Sequence, residues 1–103
     1  MFLEKVKGTG DLLLAALDTR EEKLIQEAQR NFSQAVEGAW QAYEQGKIQT
    51  RARQGTLPRA MYLYATRELP QEVTHLKRWS TMKREITDFL RTMDLVIAPL
   101  EEG

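Results

Sequence analysis

The sequence contains no cysteine and only one histidine, which excludes several kinds of site at the outset. Without cysteine there are no disulfides and no thiolate ligands for a metal. With His75 as the only imidazole, a zinc site would have to consist almost wholly of carboxylates, which is unusual for zinc. We therefore expect no metal and no cofactor, and we expect His75 to lie at the surface or at the edge of the core.

Long apolar runs are also missing. No stretch approaches the roughly 20 apolar residues that cross a bilayer. The short run from Leu12 to Leu17 is not followed by a signal-peptide cleavage pattern. These absences predict a cytoplasmic protein with no membrane segment.

Catalytic motifs are missing as well. Gly8 and Gly10 stand apart from any strand–glycine–helix pattern of a phosphate-binding loop, and neither G-x-S-x-G nor H-E-x-x-H occurs. The acidic residues are spread along the chain beside basic neighbours, so nothing indicates a pair of carboxylates in a cleft. We therefore expect a protein that is not an enzyme and acts by binding.

Three prolines and six glycines interrupt 103 residues, and β-branched runs are almost absent, which argues against a sheet. Apolar residues instead recur at steps of three and four, the period of an amphipathic helix. The sequence thus predicts an all-α fold, a small helical bundle of two long helices and one or two shorter ones. A chain of this length has room for one core, so residues 1–103 are expected to form a single domain.

The first long helix is predicted over residues 11 to 45. The segment Gly8-Thr9-Gly10 is expected to be a flexible break, and Asp11 can cap the helix that follows. Thr19 and Glu22 have the spacing of a capping box, so the helix is expected to bend or restart near Asp18-Thr19.

The second half of the chain is predicted to hold a short helix and a long one. Residues 47–56 are polar and basic, and either a loop or a frayed helix fits them. Pro58 suits the first turn of a short helix that ends at Leu69, and Pro70 suits the start of a last helix reaching residue 98. Ser80 or Thr81 could cap a restart within that last helix. The periodicity marks seven core positions: Leu24, Phe32, Val36, Leu76, Ile86, Leu90 and Met93.

Charge is distributed unevenly along a chain whose net charge is zero. Residues 1–46 carry a net charge of −3 and residues 85–103 carry −4, whereas residues 47–84 carry nine bases and two acids, a net charge of +7. Arginine binds phosphate in a bidentate manner, and aromatic rings stack on bases. Trp79 and either Tyr62 or Tyr64 are close enough in sequence to supply such rings. The candidate nucleic-acid-binding residues are Lys47, Arg51, Arg53, Arg59, Arg67, Lys77, Arg78, Lys83 and Arg84.

These basic residues and the long apolar helix from Val73 to Ile97 resemble the small all-helical subunits of class 1 CRISPR effector complexes. In that family several copies of a helical bundle line a filament and contact guide and target nucleic acid through lysine and arginine. The resemblance implies an antiviral nucleoprotein complex in which this chain binds RNA or DNA backbone, independently of base sequence, beside other protein subunits or copies of itself.

Two other interpretations stay open. In one, the protein is a helical adaptor or regulator that dimerises, or docks on an acidic protein, through a face containing Trp40 and Tyr43 or Trp79. In the other, the basic stretch is a solvated surface that the acidic parts of the same bundle neutralise. Binding through the nine bases alone would be weak and sensitive to salt, which favours a subunit held in place by protein neighbours.

Overall fold

The computed structural model describes residues 2–45, 56–74 and 79–96, and the side chains of residues 4–45, 59–74 and 79–93. Every regular element in these ranges is helical, and none is a strand. The all-α prediction is therefore confirmed. The elements are α1 (Phe2–Thr19), α2 (Glu22–Glu44), α3 (Thr56–Leu63), a π-helical segment (Tyr64–Glu68), α4 (Leu69–Glu72) and α5 (Trp79–Val96).

Helix α1 begins well before Asp11 and runs without a break through the two glycines, so the predicted flexible segment is wrong. The reason is a close approach between helices. A Cβ atom at Gly10 would lie 2.9 Å from Cδ2 of Leu90 and 3.2 Å from Cε1 of the fully buried Phe32. Glycine at this position allows α1 to pack tightly against α2 and α5, and that packing holds the segment helical.

The predicted helix over 11–45 is two helices that meet at Arg20. Arg20 adopts a positive φ of 57°, the left-handed conformation in which helices commonly end. The capping box is not formed. The Thr19 hydroxyl instead donates to the Ala16 carbonyl at 2.6 Å and accepts from the Glu21 amide at 3.2 Å, which closes the turn between α1 and α2.

The core lies where α1, α2 and α5 meet the segment from α3 to α4. Phe32 is fully buried at its centre and packs edge to face on Phe89, with ring centroids 5.4 Å apart. Of the predicted core positions, Phe32, Val36, Ile86 and Met93 are buried and Leu90 is partly buried against the core. Leu76 lies outside the described residues.

Leu24 is a wrong prediction, since 44% of its surface is exposed. Phe32 and Val36 face inward as predicted, but in the first turns of α2 the inward positions are Ile25, which is fully buried, and Gln29. The apolar period alone could not choose between Leu24 and Ile25, because both are apolar and the next inward residue, Gln29, is polar.

The segment from α3 to α4 is continuous through a π-helical turn that Pro70 explains. Pro58 lies in the first turn of α3, as predicted. A proline inside an α-helix clashes with the carbonyl four residues earlier and has no amide to donate. Here the turn widens, and the Leu69 amide donates to the Tyr64 carbonyl, five residues back. The carbonyl of Ala65 would then need the amide of residue 70, which proline lacks.

Helix α2 supplies the missing donor. The Ser33 hydroxyl donates to the Ala65 carbonyl at 2.6 Å, and the Gln29 side-chain amide donates to the Ser33 hydroxyl at 2.7 Å. Gln29 and Ala65 are both buried. This chain of hydrogen bonds satisfies a buried carbonyl that has no main-chain partner in the π register, and it fixes the π-helical segment on α2.

The long last helix predicted from Pro70 to residue 98 is interrupted. Helix α4 ends at Glu72, and α5 begins at Trp79. The Trp79 indole is buried and donates to the Val73 carbonyl at 3.2 Å. Trp79 is therefore a core residue, and a turn follows α4. The start of α5 lies near Ser80-Thr81, where the sequence allowed the last helix to restart.

Replacement of Arg20 by glycine is expected to stabilise the protein. The left-handed conformation costs a residue with a Cβ roughly 1–2 kcal/mol, whereas the extra freedom of glycine in the unfolded chain offsets only part of that. The free energy of unfolding should rise by about 0.5–1 kcal/mol, measured by urea denaturation. The matched control is Arg30→Gly, at an exposed position within α2, where about 1 kcal/mol should be lost. An equal loss for both variants would contradict the assigned conformation of Arg20.

Replacement of Ser33 by alanine is expected to lower the free energy of unfolding by about 1–3 kcal/mol, because the buried Ala65 carbonyl loses its donor. Pro70→Ala restores an amide at residue 70, so the same Ser33 substitution should cost about 1 kcal/mol less in that background. Gln34→Ala, at the exposed neighbouring position, is the control and should change stability by less than about 0.5 kcal/mol. If Ser33→Ala and Pro70→Ala had additive effects on the free energy of unfolding, the Ser33 hydroxyl and the restored amide at residue 70 would not be alternative donors to the Ala65 carbonyl.

Candidate functional site

The predicted nucleic-acid-binding residues are only partly within the described structure. Lys47, Arg51, Arg53, Lys77 and Arg78 lie outside the residues described. The other four are all exposed: Arg59 on α3, Arg67 on the π-helical segment, and Lys83 and Arg84 on α5. The four described members of the basic stretch are therefore accessible to a ligand, although their exposure alone does not make them a site.

Lys83 has an acidic partner. Its ammonium group forms an ion pair with Asp18 near the end of α1, and both side chains are largely exposed. Exposed pairs of this kind contribute at most about 1 kcal/mol, so the contact is a weak link between α1 and α5. It also means that a phosphate group at Lys83 would compete with Asp18.

Arg67 lies in a mixed environment of aromatic and acidic groups. A hydrogen bond to Glu37 raises the pKa of the Tyr62 hydroxyl, and burial and the charge of Glu44 raise it too, whereas the positive charge of Arg67 opposes this rise. Arg67, Tyr62 and the two glutamates are therefore electrostatic neighbours where α2 meets α3 and the π-helical segment.

An aromatic cluster lies at the same place. The ring of Trp40 stacks on that of Tyr62 with centroids 4.9 Å apart and an angle of 15° between the planes. Tyr43 leans on Trp40 with centroids 5.3 Å apart. All three side chains are only partly buried. We call Trp40, Tyr43 and Tyr62 the aromatic cluster.

The predicted stacking surface differs from this cluster. Trp79 has only 6% of its surface exposed and belongs to the core, so neither base stacking nor a docking face can involve it in this conformation. Tyr62 does belong to a partly exposed aromatic surface, but its neighbours come from α2. The sequence could not indicate this contact, because Trp40 and Tyr62 are separated by the basic stretch that joins α2 to α3.

Tyr64 lies on a different side of its helix, among acidic groups. Burial raises the pKa of the Tyr64 hydroxyl far above its usual range, and the negative charges of Glu85 and Glu72 raise it further. The hydroxyl oxygen is buried without a hydrogen bond of normal geometry. Tyr64 is thus held as a neutral phenol, and its ring packs near Phe89 at 6.1 Å between centroids.

Neither a metal centre nor a membrane span is found in the described part of the chain. No group of three or more histidine, cysteine, aspartate or glutamate side chains there is arranged to hold a metal ion. None of the helices in the same residue ranges combines the length and the apolar character required to cross a bilayer.

Comparisons with known proteins give no further assignment. Compared with protein-family models, with curated proteins and with solved structures, the chain shows no significant match. The function must therefore be argued from the residues themselves.

The buried hydroxyl of Tyr64 predicts a loss of stability at alkaline pH. The folded protein keeps the proton of Tyr64 at a pH where the unfolded chain releases it, so stability is fully present below about pH 10 and falls as the pH rises above that value. Tyr64→Phe should flatten this decline between about pH 9 and pH 12 and should not destabilise the protein at neutral pH. Thermal unfolding over this pH range measures both effects.

Tyr62→Phe is the comparison variant, since Tyr62 is only partly buried and its pKa is raised mainly through Glu37. Tyr62→Phe should flatten the alkaline decline of stability less than Tyr64→Phe does. An alkaline decline that is the same in Tyr64→Phe and in the unmodified protein would contradict the burial of this hydroxyl.

Proposed function

We propose that this protein is a non-catalytic helical subunit of a nucleoprotein assembly and that it binds nucleic-acid backbone through its central basic segment, residues 47–84. The observation that carries the proposal is the charge pattern. Nine bases and two acids occupy this segment in a chain that is otherwise acidic, and all four bases described by the structure are exposed. An exposed, basic, arginine-rich segment provides the sequence-independent attraction of a phosphate backbone.

The aromatic cluster supports the same function. Tyr43 is near the end of α2, and the stretch that follows it in sequence, residues 46–55, contains Lys47, Arg51 and Arg53. Stacking of a base on an aromatic ring contributes about 1–3 kcal/mol and tolerates any base. An aromatic ring beside an arginine, as Tyr62 is beside Arg67, is a typical arrangement for binding single strands.

The described electrostatics indicate a modest affinity. Lys83 is paired with Asp18, and Arg67 lies near Glu37 and Glu44, so part of the positive charge is balanced within the bundle. A phosphate contact at either base would compete with a carboxylate. Binding would then be weak for a single copy and would depend on protein neighbours that hold the subunit in place. This is the arrangement implied by the resemblance to small subunits of class 1 CRISPR effector complexes.

A helical adaptor is the second candidate function, and the aromatic cluster is the observation that favours it. Trp40 and Tyr43 are partly exposed, and aromatic residues are enriched in the anchoring positions of protein interfaces. The bases around the cluster would then contact an acidic protein. The two functions require the same surface but different ligands, so one set of variants can separate them.

Reversal of Arg51, Arg53 and Arg59 to glutamate should weaken binding of single-stranded RNA and DNA about equally for all base sequences. Each lost phosphate contact should reduce the slope of log K against log salt by about 0.7 for single strands. Fluorescence anisotropy with labelled homopolymers and mixed sequences, measured over a range of salt concentrations, gives both the affinity and the slope. Far-ultraviolet circular dichroism checks that the helical content is unchanged.

The matched control reverses Lys23, Arg30 and Arg91, which are exposed bases outside the segment 47–84. This variant has the same change of net charge and should lose much less affinity. Equal losses in both variants would mean that net charge alone attracts nucleic acid. No loss for the central reversal, together with loss of binding to an acidic protein partner, would establish the adaptor function instead.

A further inference from the structure

We infer that the outer seam between α1 and α2 is a homodimer interface, in which a second copy of this chain packs antiparallel about a twofold axis. The seam is the groove on the side of these two helices away from α5. It contains Leu12 and Leu24, with 64% and 44% of their surfaces exposed, and these are the large apolar side chains most exposed in the described structure.

The two leucines lie beside a hollow of about 400 Å³. Its walls are mostly small or apolar side chains from the two helices, with one acid, Glu27, at the rim: Thr9, Leu12, Ala15, Ala16, Thr19, Leu24, Glu27, Ala28 and Asn31. An apolar surface with protruding leucines is unfavourable in water, and its burial against a complementary surface is favourable.

A second hollow of about 310 Å³ continues the seam toward the start of α1. Thr9 and Asn31 line both hollows, so the two are adjacent along the same groove. The second hollow has no protruding apolar side chain. It contains Ala35 and Gly38, and a Cβ atom at Gly38 would meet nothing within 4 Å.

The two halves of the seam therefore complement each other when a second copy is turned end for end. A twofold axis near Thr9 and Asn31 places Leu12 and Leu24 of one copy over the open hollow at Gly38 of the other, and the converse contact forms by symmetry. An isologous contact uses the same surface of both copies, so the assembly is complete with two copies.

The charges at the two ends agree with this arrangement. Lys5 lines the open hollow, and Glu27 lines the hollow with the leucines. The antiparallel arrangement brings Lys5 of one copy toward Glu27 of the other, twice in each dimer. A parallel arrangement would instead place like charges together and the leucines against each other.

The seam is separate from the proposed nucleic-acid surface. None of the described residues that line it belongs to the segment 47–84. Dimerisation through the seam would leave Arg59, Arg67, Lys83 and Arg84 of each copy accessible and would double the number of phosphate contacts they can make. The inference does not depend on nucleic-acid binding, because it follows from the shape and charge of the seam alone.

Sedimentation equilibrium over a range of protein concentrations tests the dimer directly. The unmodified protein should form dimers and no larger species. Leu12→Ser combined with Leu24→Ser should raise the dimer dissociation constant by about 100-fold or more, since four leucines per dimer lose their burial. Gly38→Leu should raise it as well, because the new side chain fills the hollow that receives the partner's leucines.

Charge exchange gives the most specific test of the antiparallel arrangement. Lys5→Glu and Glu27→Lys should each raise the dissociation constant by about five-fold, and the two changes together in one chain should restore it. Arg91→Glu, at an exposed position on α5, should have no effect. A strictly monomeric protein, or a dimer that is unaffected by the leucine and Gly38 variants, would overturn the inference. Failure of Lys5→Glu and Glu27→Lys to compensate each other would overturn the antiparallel geometry.

Discussion

The hydrogen bond from the Ser33 hydroxyl to the Ala65 carbonyl is the contact on which the two halves of this molecule depend. Pro70 widens the preceding turn and removes the amide that this carbonyl would otherwise use. A buried carbonyl without a donor costs about 1–3 kcal/mol, so a neighbouring helix that presents a hydroxyl there stabilises the π-helical segment by about that amount. Helix α2 does so, and Gln29 orients that hydroxyl from one turn earlier.

This polar contact also determines where the remaining helices can lie. It places Ala65 against α2, and Tyr64 then packs near Phe89 of α5, which in turn packs on Phe32. Gly10 completes the arrangement, because α1 approaches Phe32 and Leu90 so closely that a methyl group there would require Leu90 to move. The core is therefore a set of close contacts around Phe32 that involves every part of the bundle.

The surface separates into regions of different character. The aromatic cluster lies where α2 meets α3, with Arg67 near it, whereas Lys83 lies on α5 beside Asp18 of α1. Tyr64 lies among the acidic side chains of α4 and α5. The outer seam of α1 and α2 carries exposed leucines and none of the four described bases of segment 47–84. Nucleic-acid binding and self-association are therefore proposed for different surfaces, and neither needs to interfere with the other.

The sequence by itself determined the fold class, part of the core and the location of the positive charge along the chain. Helical periodicity is a local property, so Phe32, Val36, Ile86 and Met93 could be identified as buried without knowledge of their partners. The role of Pro58 in the first turn of a helix is equally local. Helical periodicity could not show which bases pair with acids, and it could not show which rings form the aromatic cluster.

Only the tertiary structure decided the features that depend on distant residues. Gly8 and Gly10 would favour a flexible break in isolation, but in the folded protein they lie inside a continuous helix, and Leu90 and Phe32 pack closely on Gly10. Trp79 is a core residue whose indole donates to the Val73 carbonyl, six residues earlier. Leu24 is exposed because its neighbour Ile25 faces the core, and adjacent side chains on a helix point about 100° apart.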